Sequence, residues 1–239
     1  MTTSFDPTEA AAVRAAAPLS QTLDRGLQVL ELLAEREQPL SSVQIAAALG
    51  VHRSIAYRIV RTLEDHRLVQ RRSDGRWEPG VGLVVLARSV SPTLHRAATP
   101  ELADLANDLG MTAFLAVADR DECVTVLTVE PRHSQVHVAY RPGRRHAIDR
   151  GGPGVALLAG GPPRPGERPE VTAAREAGYT LTSGEVVPGL SSVAAPVVTQ
   201  DGWVVASVAV LFLQEPPRDV EPVALRVCRA ARAIARELQ

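Results

Sequence analysis

Lysine is absent from the chain: all 26 of its Lys+Arg residues are arginine, a bias that reflects genome base composition rather than chemistry. Cysteine is scarce. Cys123 and Cys228 are the only two, widely separated and outside any CxxC or Cys/His spacing, which excludes a disulfide framework and a zinc ribbon and leaves them as buried small hydrophobes. Long apolar runs are missing as well. The longest, Trp203 to Leu213, is broken by Ser207 and is shorter than the ~18 residues a membrane-spanning helix needs, so no membrane partner is expected. Residues 1–19 carry Asp6 and Glu9 where a secretory signal would be basic, and lack its leucine-rich core. They read as a disordered Ala-rich lead-in, and the protein is expected in the cytoplasm.

Catalytic signatures are equally absent. No GxSxG, HExxH or glycine-rich phosphate loop occurs, and "GGPG" with the following "VALLAGG" lacks both the Lys-Ser/Thr of a P-loop and the GxGxxG of a dinucleotide fold. His133, His137 and His146 fall on or near one sheet edge, without acidic ligands nearby, and read as satisfied or solvated histidines rather than a metal site. A Cys123–His137 thiol pair has still less to support it. The expectation is therefore a protein that is not an enzyme and takes no metal and no cofactor.

What is present is an ordinary hydrophobic fraction, 45% over 239 residues, with room for one or two domains. Net charge is only -1, yet its distribution is uneven. Residues 51–77, "VHRSIAYRIVRTLEDHRLVQRRSDGRW", hold seven arginines against three carboxylates, Glu64, Asp65 and Asp74.

Local patterns explain that concentration. Leu23, Leu27, Leu30 and Leu33 recur at helical spacing, predicting a helix over 22–37 with this face buried, ended by Pro39. Ser41 and Gln44 form a capping box that starts a second, short helix, and Gly50 stops it. A third helix runs from near His52 to about His66, with Ile55, Ile59 and Leu63 facing inward. Ser54, Tyr57, Arg58 and Arg61 then share its exposed stripe, with Arg53 beside it. "LVQRRSDGRWEP" follows as two strands turning at Asp74-Gly75, with Arg71, Arg72 and Arg76 about the tip. Helix, turn, helix and an arginine-tipped hairpin is the pattern of a winged helix-turn-helix, whose last helix enters the major groove of double-stranded DNA while the wing meets phosphates. A merely solvated basic surface is the competing reading, and the combination of elements favours DNA. Ser41 and Ser42, at the head of the second helix, complete the candidate DNA-binding set.

In order and spacing, "LDRGLQVLELLAE", "LSSVQIAAALGV", "RSIAYRIVRTLEDHRLV" and "GRWEPG" resemble the DNA-binding domain of IclR-type transcriptional regulators, the isocitrate lyase regulator family. Residues 81–98 resemble that family's linker helix. A helix follows with Thr99 as N-cap, Pro100 at its first position, Leu102, Leu105 and Leu109 inward, and Gly110 as stop. "TAFLAVA", "CVTVLTV" and "QVHVAYRPG" alternate as strands, "SSVAAPVVTQDGWVVASVAVLFL" reads as a hairpin about Asp201-Gly202, and residues 220–238 as a closing amphipathic helix. The sheet is expected to be mostly antiparallel with helices on one or both sides.

This half resembles the family's GAF-like effector domain through "GRRHAIDRGGPGVALLA", "AREAGYT", "GLSSVAAPVV" and "VVASVAV". The fold class expected is α+β: a lead-in over 1–19, a winged helix-turn-helix over 20–80, a linker helix over 81–98, and a GAF-like α/β effector-binding and oligomerisation domain over 99–239. The stretch between "ALLA" and "GY" is shorter than the family's and reads as a Pro/Gly-rich loop with one short helix.

The resemblance implies operator binding modulated by a small-molecule effector, and a homo-oligomer that is a dimer or dimer of dimers. It places the effector site at Asp149, Gly152, Pro153, Thr182, Leu190, Ser192, Ala209 and Leu211. An acid expected near Thr182 and hydroxyls expected near Ala209 and Leu211 are missing, and Pro153 removes a backbone N–H. Fewer polar anchors imply an effector more apolar than a small keto acid, since apolar walls reject charge. The alternative is a ligand-binding or protein-docking regulator with a collapsed or absent effector response.

Overall fold

The computed structural model describes residues 20–36, 38–133, 138–213 and 219–238, and the chain divides after Val90 into two compact units. In the first, α1 (Gln21–Glu35) buries Gly26, Val29 and Leu33 with Leu30 packed partly beside them. The leucine stripe expected from spacing is rotated, because Leu23 and Leu27 are 63% and 50% exposed. The buried face runs instead through Gly26, Val29 and Leu33, with Gly26 turned toward the third helix, where an added Cβ would lie 4.0 Å from the Ile59 Cγ2.

Helix α2 (Ser42–Ala48) carries the expected capping box, with the Gln44 N–H donating to Ser41 Oγ at 3.3 Å and Ser41 N–H donating to Gln44 Oε1 at 2.9 Å. Helix α3 (Arg53–Asp65) is capped by a residue the sequence patterns leave unassigned: the His52 ring nitrogen accepts the Ser54 N–H at 3.3 Å. Its buried stripe is Ala56, Ile59 and Val60 with Leu63, while Ile55, expected inside, is 39% exposed. Ala56 takes its place, fully buried in one cluster with Ala46 of α2.

After α3 the chain turns through Arg67 at φ 60° into β1 (Val69–Arg71), which pairs antiparallel with β2 (Trp77–Pro79). Gly75 at φ 80° closes the hairpin, as the Asp-Gly signal predicts. Leu40 adds a bridge to Trp77, whose side chain is fully buried among Val29, Ile45, Val60 and Val69. Helix α4 (Val81–Ala87) begins on a close backbone approach. The Gly80 N–H donates to the Leu68 carbonyl and the Gly82 N–H to that of Arg67, and a Cβ at either glycine would lie 2.4 or 2.6 Å from the Arg67 oxygen. No residue of α4 is buried.

The second unit opens with α5 (Pro92–Leu109), so residues 81–98 are two helices and a turn rather than one linker helix. Thr99 is not an N-cap. It lies mid-helix, its hydroxyl donating to the His95 carbonyl at 2.7 Å, and Pro100 is inside the helix. Pro100 removes one helical hydrogen bond, but Leu94, Ala97 and Ala98 continue the buried face of Leu102, Leu105 and Ala106, and that burial carries the helix through. Gly110 at φ 64° ends it as expected.

Six strands form one antiparallel sheet: β3 (Thr112–Asp119), β4 (Glu122–Val129), β5 (Arg145–Ala147), β6 (Thr180–Ser183), β7 (Leu190–Val198) and β8 (Val204–Leu213), ordered β5-β4-β3-β8-β7-β6. The strand expected over 135–143 falls partly on residues 134–137, outside those described; residues 138–143 are not a strand, and β5 forms the edge instead. Here Tyr140 turns inward onto Phe114, ring centroids 4.8 Å apart, and the Val138 carbonyl accepts the Thr112 hydroxyl at 2.6 Å. Those tertiary contacts override the alternation.

Helices cover both faces. α5 and α8 (Glu221–Glu237) bury the side carrying Ala113, Leu115, Val193, Ala195, Val208 and Val210. Opposite, α6 (Gly151–Gly160) lies on the face carrying Phe114, Ala194, Ala209 and Leu211. α7 (Pro169–Ala177) packs on α6, and the irregular 161–168 before it matches the expected loop with one short helix. Glu167 forms a two-pronged pair with Arg175, which also donates to the Leu158 and Gly161 carbonyls at the end of α6.

Candidate functional site

The exposed side of α3 brings Arg53, Ser54, Tyr57, Arg58 and Arg61 together as the sequence predicts. Their availability differs. The Ser54 hydroxyl is 2.9 Å from the His52 ring nitrogen and helps cap the helix. Arg61 pairs with Glu64 one turn on. Among the described residues Arg53 and Arg58 have no ion pair, and Tyr57 is 45% exposed. Arg58 borders a groove between α1 and α3, with Ile55 and Thr62 on its own helix.

The wing arginines already have partners within the hairpin. Arg71 lies over the Trp77 ring, 5.7 Å from its centroid. Arg72 donates to Glu78 at 3.1 Å, while Arg76 is 4.0 Å from Asp74. These pairs are solvent-exposed and therefore weak, so the guanidinium groups can exchange a carboxylate for a phosphate. Ser41 and Ser42 are committed to the fold: one hydroxyl belongs to the capping box, and the other accepts the Trp77 indole N–H at 3.0 Å.

A second candidate site lies in the other unit, at the head of α6. Pro153, Thr182, Leu190, Ser192 and Leu211 line a cavity there of about 30 Å³. Gly152 abuts it so closely that a Cβ would lie 2.5 Å from Ser192 Oγ. Ala209 is buried beside it among Phe114, Tyr140 and Leu211, whereas the Asp149 side chain is exposed and only its carbonyl takes part, accepting Arg168. The Thr182 and Ser192 hydroxyls are 3.1 Å apart and satisfy each other.

Several lining residues escaped the sequence reading: Phe114, Tyr140 and His146 on the sheet side, and Gly184, Glu185, Val186 and Val187 from the β6–β7 connection. Phe114 and Tyr140 are recognisable as apolar positions, but nothing local in "GEVVPG" marks Glu185. Its carboxylate accepts the Gly151 N–H at 2.9 Å and a two-pronged bond from Arg168, both at 3.1 Å. Arg168 above all, then the Gly151 amide, holds the Glu185 carboxyl below the usual carboxylate range against the opposing pull of burial.

Burial raises the Tyr140 hydroxyl above its ordinary value and pushes the Cys123 thiol up to about 12, leaving Cys123 an inert core residue. Among the described residues no group of His, Cys, Asp and Glu could hold a metal ion; His137 lies outside them.

Residues 22–73 match the IclR helix-turn-helix domain. Over 229 residues the chain is 26% identical to the HTH-type transcriptional regulator XynR of Escherichia coli (strain K12), covering 85% of this chain and 90% of that protein. An IclR transcriptional regulator from Alicyclobacillus acidocaldarius superposes with a TM-score of 0.78 at 24% identity, over 93% of this chain and 100% of the other. An IclR homolog from Microbacterium hydrocarbonoxydans, solved in complex with 4-hydroxybenzoate, superposes at 0.79 with 23% identity, over 91% and 98%.

Proposed function

We propose that this chain, a member of the IclR family of transcriptional regulators, binds operator DNA through α3 and the β1–β2 wing and adjusts that binding to a small molecule held at the head of α6. The observation that carries the reading is Arg53 and Arg58, without an ion pair among the described residues, on an exposed helix of a winged helix-turn-helix. Major-groove readout uses such groups, because a guanidinium can donate two bonds to one guanine edge. Competition between operator and random duplex DNA tests it: preference for the operator supports the reading, and equal binding removes it. The protein does not act as an enzyme in this reading.

Self-association supplies the symmetry that operator binding needs. Val81, Val84, Val85 and Leu86 on α4 are all exposed, an apolar run that a second copy of the chain would cover. A homodimer, or a dimer of dimers, would present paired recognition helices to half-sites about 34 Å apart or a multiple of it. Among the described residues no helix is long and apolar enough to cross a membrane, and a DNA-binding role puts the protein in the cytoplasm.

The effector is proposed to be more apolar than a small keto acid. Phe114, Tyr140, Leu190 and Leu211 supply the walls, and the two aliphatic hydroxyls among the cavity's described lining residues, Thr182 and Ser192, already bond each other. The Microbacterium homolog of the same fold is solved with 4-hydroxybenzoate, whose aromatic ring, not its carboxylate, is the precedent for an apolar ligand. A collapsed pocket is the second reading, favoured by a cavity of about 30 Å³ where small-molecule sites run about 300–1,000 Å³. A thermal-shift screen separates the two: stabilisation by an apolar or aromatic compound supports the effector site, and none from a broad set supports collapse.

A further inference from the structure

The Glu185 side chain occupies the position at which an incoming carboxylate would have most to gain. Its Oε2 accepts the Gly151 N–H, the first amide of α6, at 2.9 Å, where the unpaired amides of a helix head attract negative charge. Both of its oxygens accept the Arg168 guanidinium at 3.1 Å, and Arg168 is braced by Glu170 at 3.2 Å and by the Asp149 carbonyl.

The chain around Glu185 forms one wall of the cavity, through Gly184, Glu185, Val186 and Val187. Gly184 and Gly189, at φ 69° and 80°, bracket the connection between β6 and β7, and the Gly184 N–H donates to the Leu190 carbonyl at 2.7 Å. Val186 presses onto the helix head, where even a methyl on Gly151 would lie 2.6 Å from its Cγ2. The cavity beneath, about 30 Å³, holds about one or two waters.

We propose that Glu185 is a built-in occupant of the anion seat made by the Gly151 amide and the Arg168 guanidinium, where it holds residues 184–189 shut over the pocket and bars carboxylate ligands from it. This rests on the reading of the cavity as the effector site. A carboxylate ligand must evict Glu185, exchanging one charge-assisted set of bonds for the same set with no net gain, and it also meets the displaced carboxylate as a like charge. An uncharged apolar ligand needs only Val186 and its neighbours to move. The cover also lowers every ligand's apparent affinity by the fraction of molecules in which it is open.

The test compares full-length wild type with Glu185→Ala, Glu185→Gln and the double variant Glu185→Ala/Arg168→Ala. Pyruvate binding is measured by calorimetry, and amide hydrogen exchange is followed at residues 184–190 and at Gly151. Pyruvate is expected to bind Glu185→Ala tighter than wild type by about tenfold or more, as an opened and vacated seat requires. The double variant should lose that gain. Exchange over 184–190 should quicken in both single variants, less in Glu185→Gln, which keeps an acceptor for Gly151 and so remains informative if the alanine variant folds poorly. Unchanged pyruvate affinity in Glu185→Ala, unchanged exchange in both single variants, or equal pyruvate binding by the single and double variants would each overturn the proposal. Benzamide binding to wild type, measured alongside, reports on the effector pocket itself, so its failure counts against that reading and is distinct from failure of the Glu185 comparison.

Discussion

The indole N–H of Trp77 donates to the Ser42 hydroxyl at 3.0 Å, joining the wing strand to the head of the second helix across 35 positions of sequence. Trp77 is fully buried, so removing its acceptor leaves a donor unpaired in the core. Ser42→Ala should therefore destabilise the first unit by about 1–3 kcal/mol, read from urea denaturation. DNA affinity of the folded fraction should stay as in wild type; a fall there would place the Ser42 hydroxyl at the DNA as well.

The wing arginines are expected to act on affinity without sequence choice. Replacing Arg71, Arg72 and Arg76 together by alanine should reduce the slope of log affinity against log salt by about 0.9 for each phosphate no longer neutralised. Removing Arg72 also frees the Glu78 carboxylate beside the backbone, so this substitution should weaken binding most of the three. A triple variant with the wild-type slope would remove the wing from the DNA.

Ser207 lies fully buried in β8, and its hydroxyl has no hydrogen-bond partner among the described residues. Ser207→Ala deletes an unsatisfied polar group at almost constant shape, and should leave the second unit as stable as wild type or stabilise it by up to ~1–3 kcal/mol in thermal or chemical melts. A clear loss of stability would show that the hydroxyl is satisfied in solution.

Arg175 first, then Thr172 and the Arg164 amide, holds the Glu167 carboxyl down to about 2 from its ordinary 4.5. A carboxyl depressed on folding contributes stability that is complete above its unfolded value and is lost as pH falls through its folded one. Melting temperature should thus decline between pH 4.5 and about 2 in wild type. Arg175→Gln should lower it above this range and flatten the decline, and an unchanged profile would show that the pair contributes nothing.

The elements with local signals were legible in the sequence. The Ser41–Gln44 box, the Asp74-Gly75 turn and the Gly110 stop are each set by a few neighbouring residues, and the structure has all three. Helix faces were less legible. Leu23 and Leu27 fit an inward stripe as well as Gly26 and Val29 do, and only the approach of α3 decides between them. Pro100 marks a helix start by local rule but sits mid-helix, because Pro92 already starts the helix and the buried face is continuous across it.

The pocket residues came from the family resemblance, which points to Gly152 and Pro153 on α6 and to Thr182, Leu190, Ser192, Ala209 and Leu211 on three strands. The pocket's cover was not legible, since the Glu185–Gly151 contact spans 34 positions and lies in a segment with no periodicity.

The central claim is that α3 reads a specific DNA sequence, and Arg58 tests it most directly. Fluorescence-anisotropy titrations of the full-length protein on operator duplex, isolated by capturing bound genomic fragments, and on scrambled duplex give both affinities at several salt concentrations. Wild type should prefer the operator, and Arg58→Ala should lose about 1–3 kcal/mol on the operator while its binding to scrambled DNA changes little. Equal wild-type affinity for the two duplexes, or an equal loss on both in Arg58→Ala, would contradict the account.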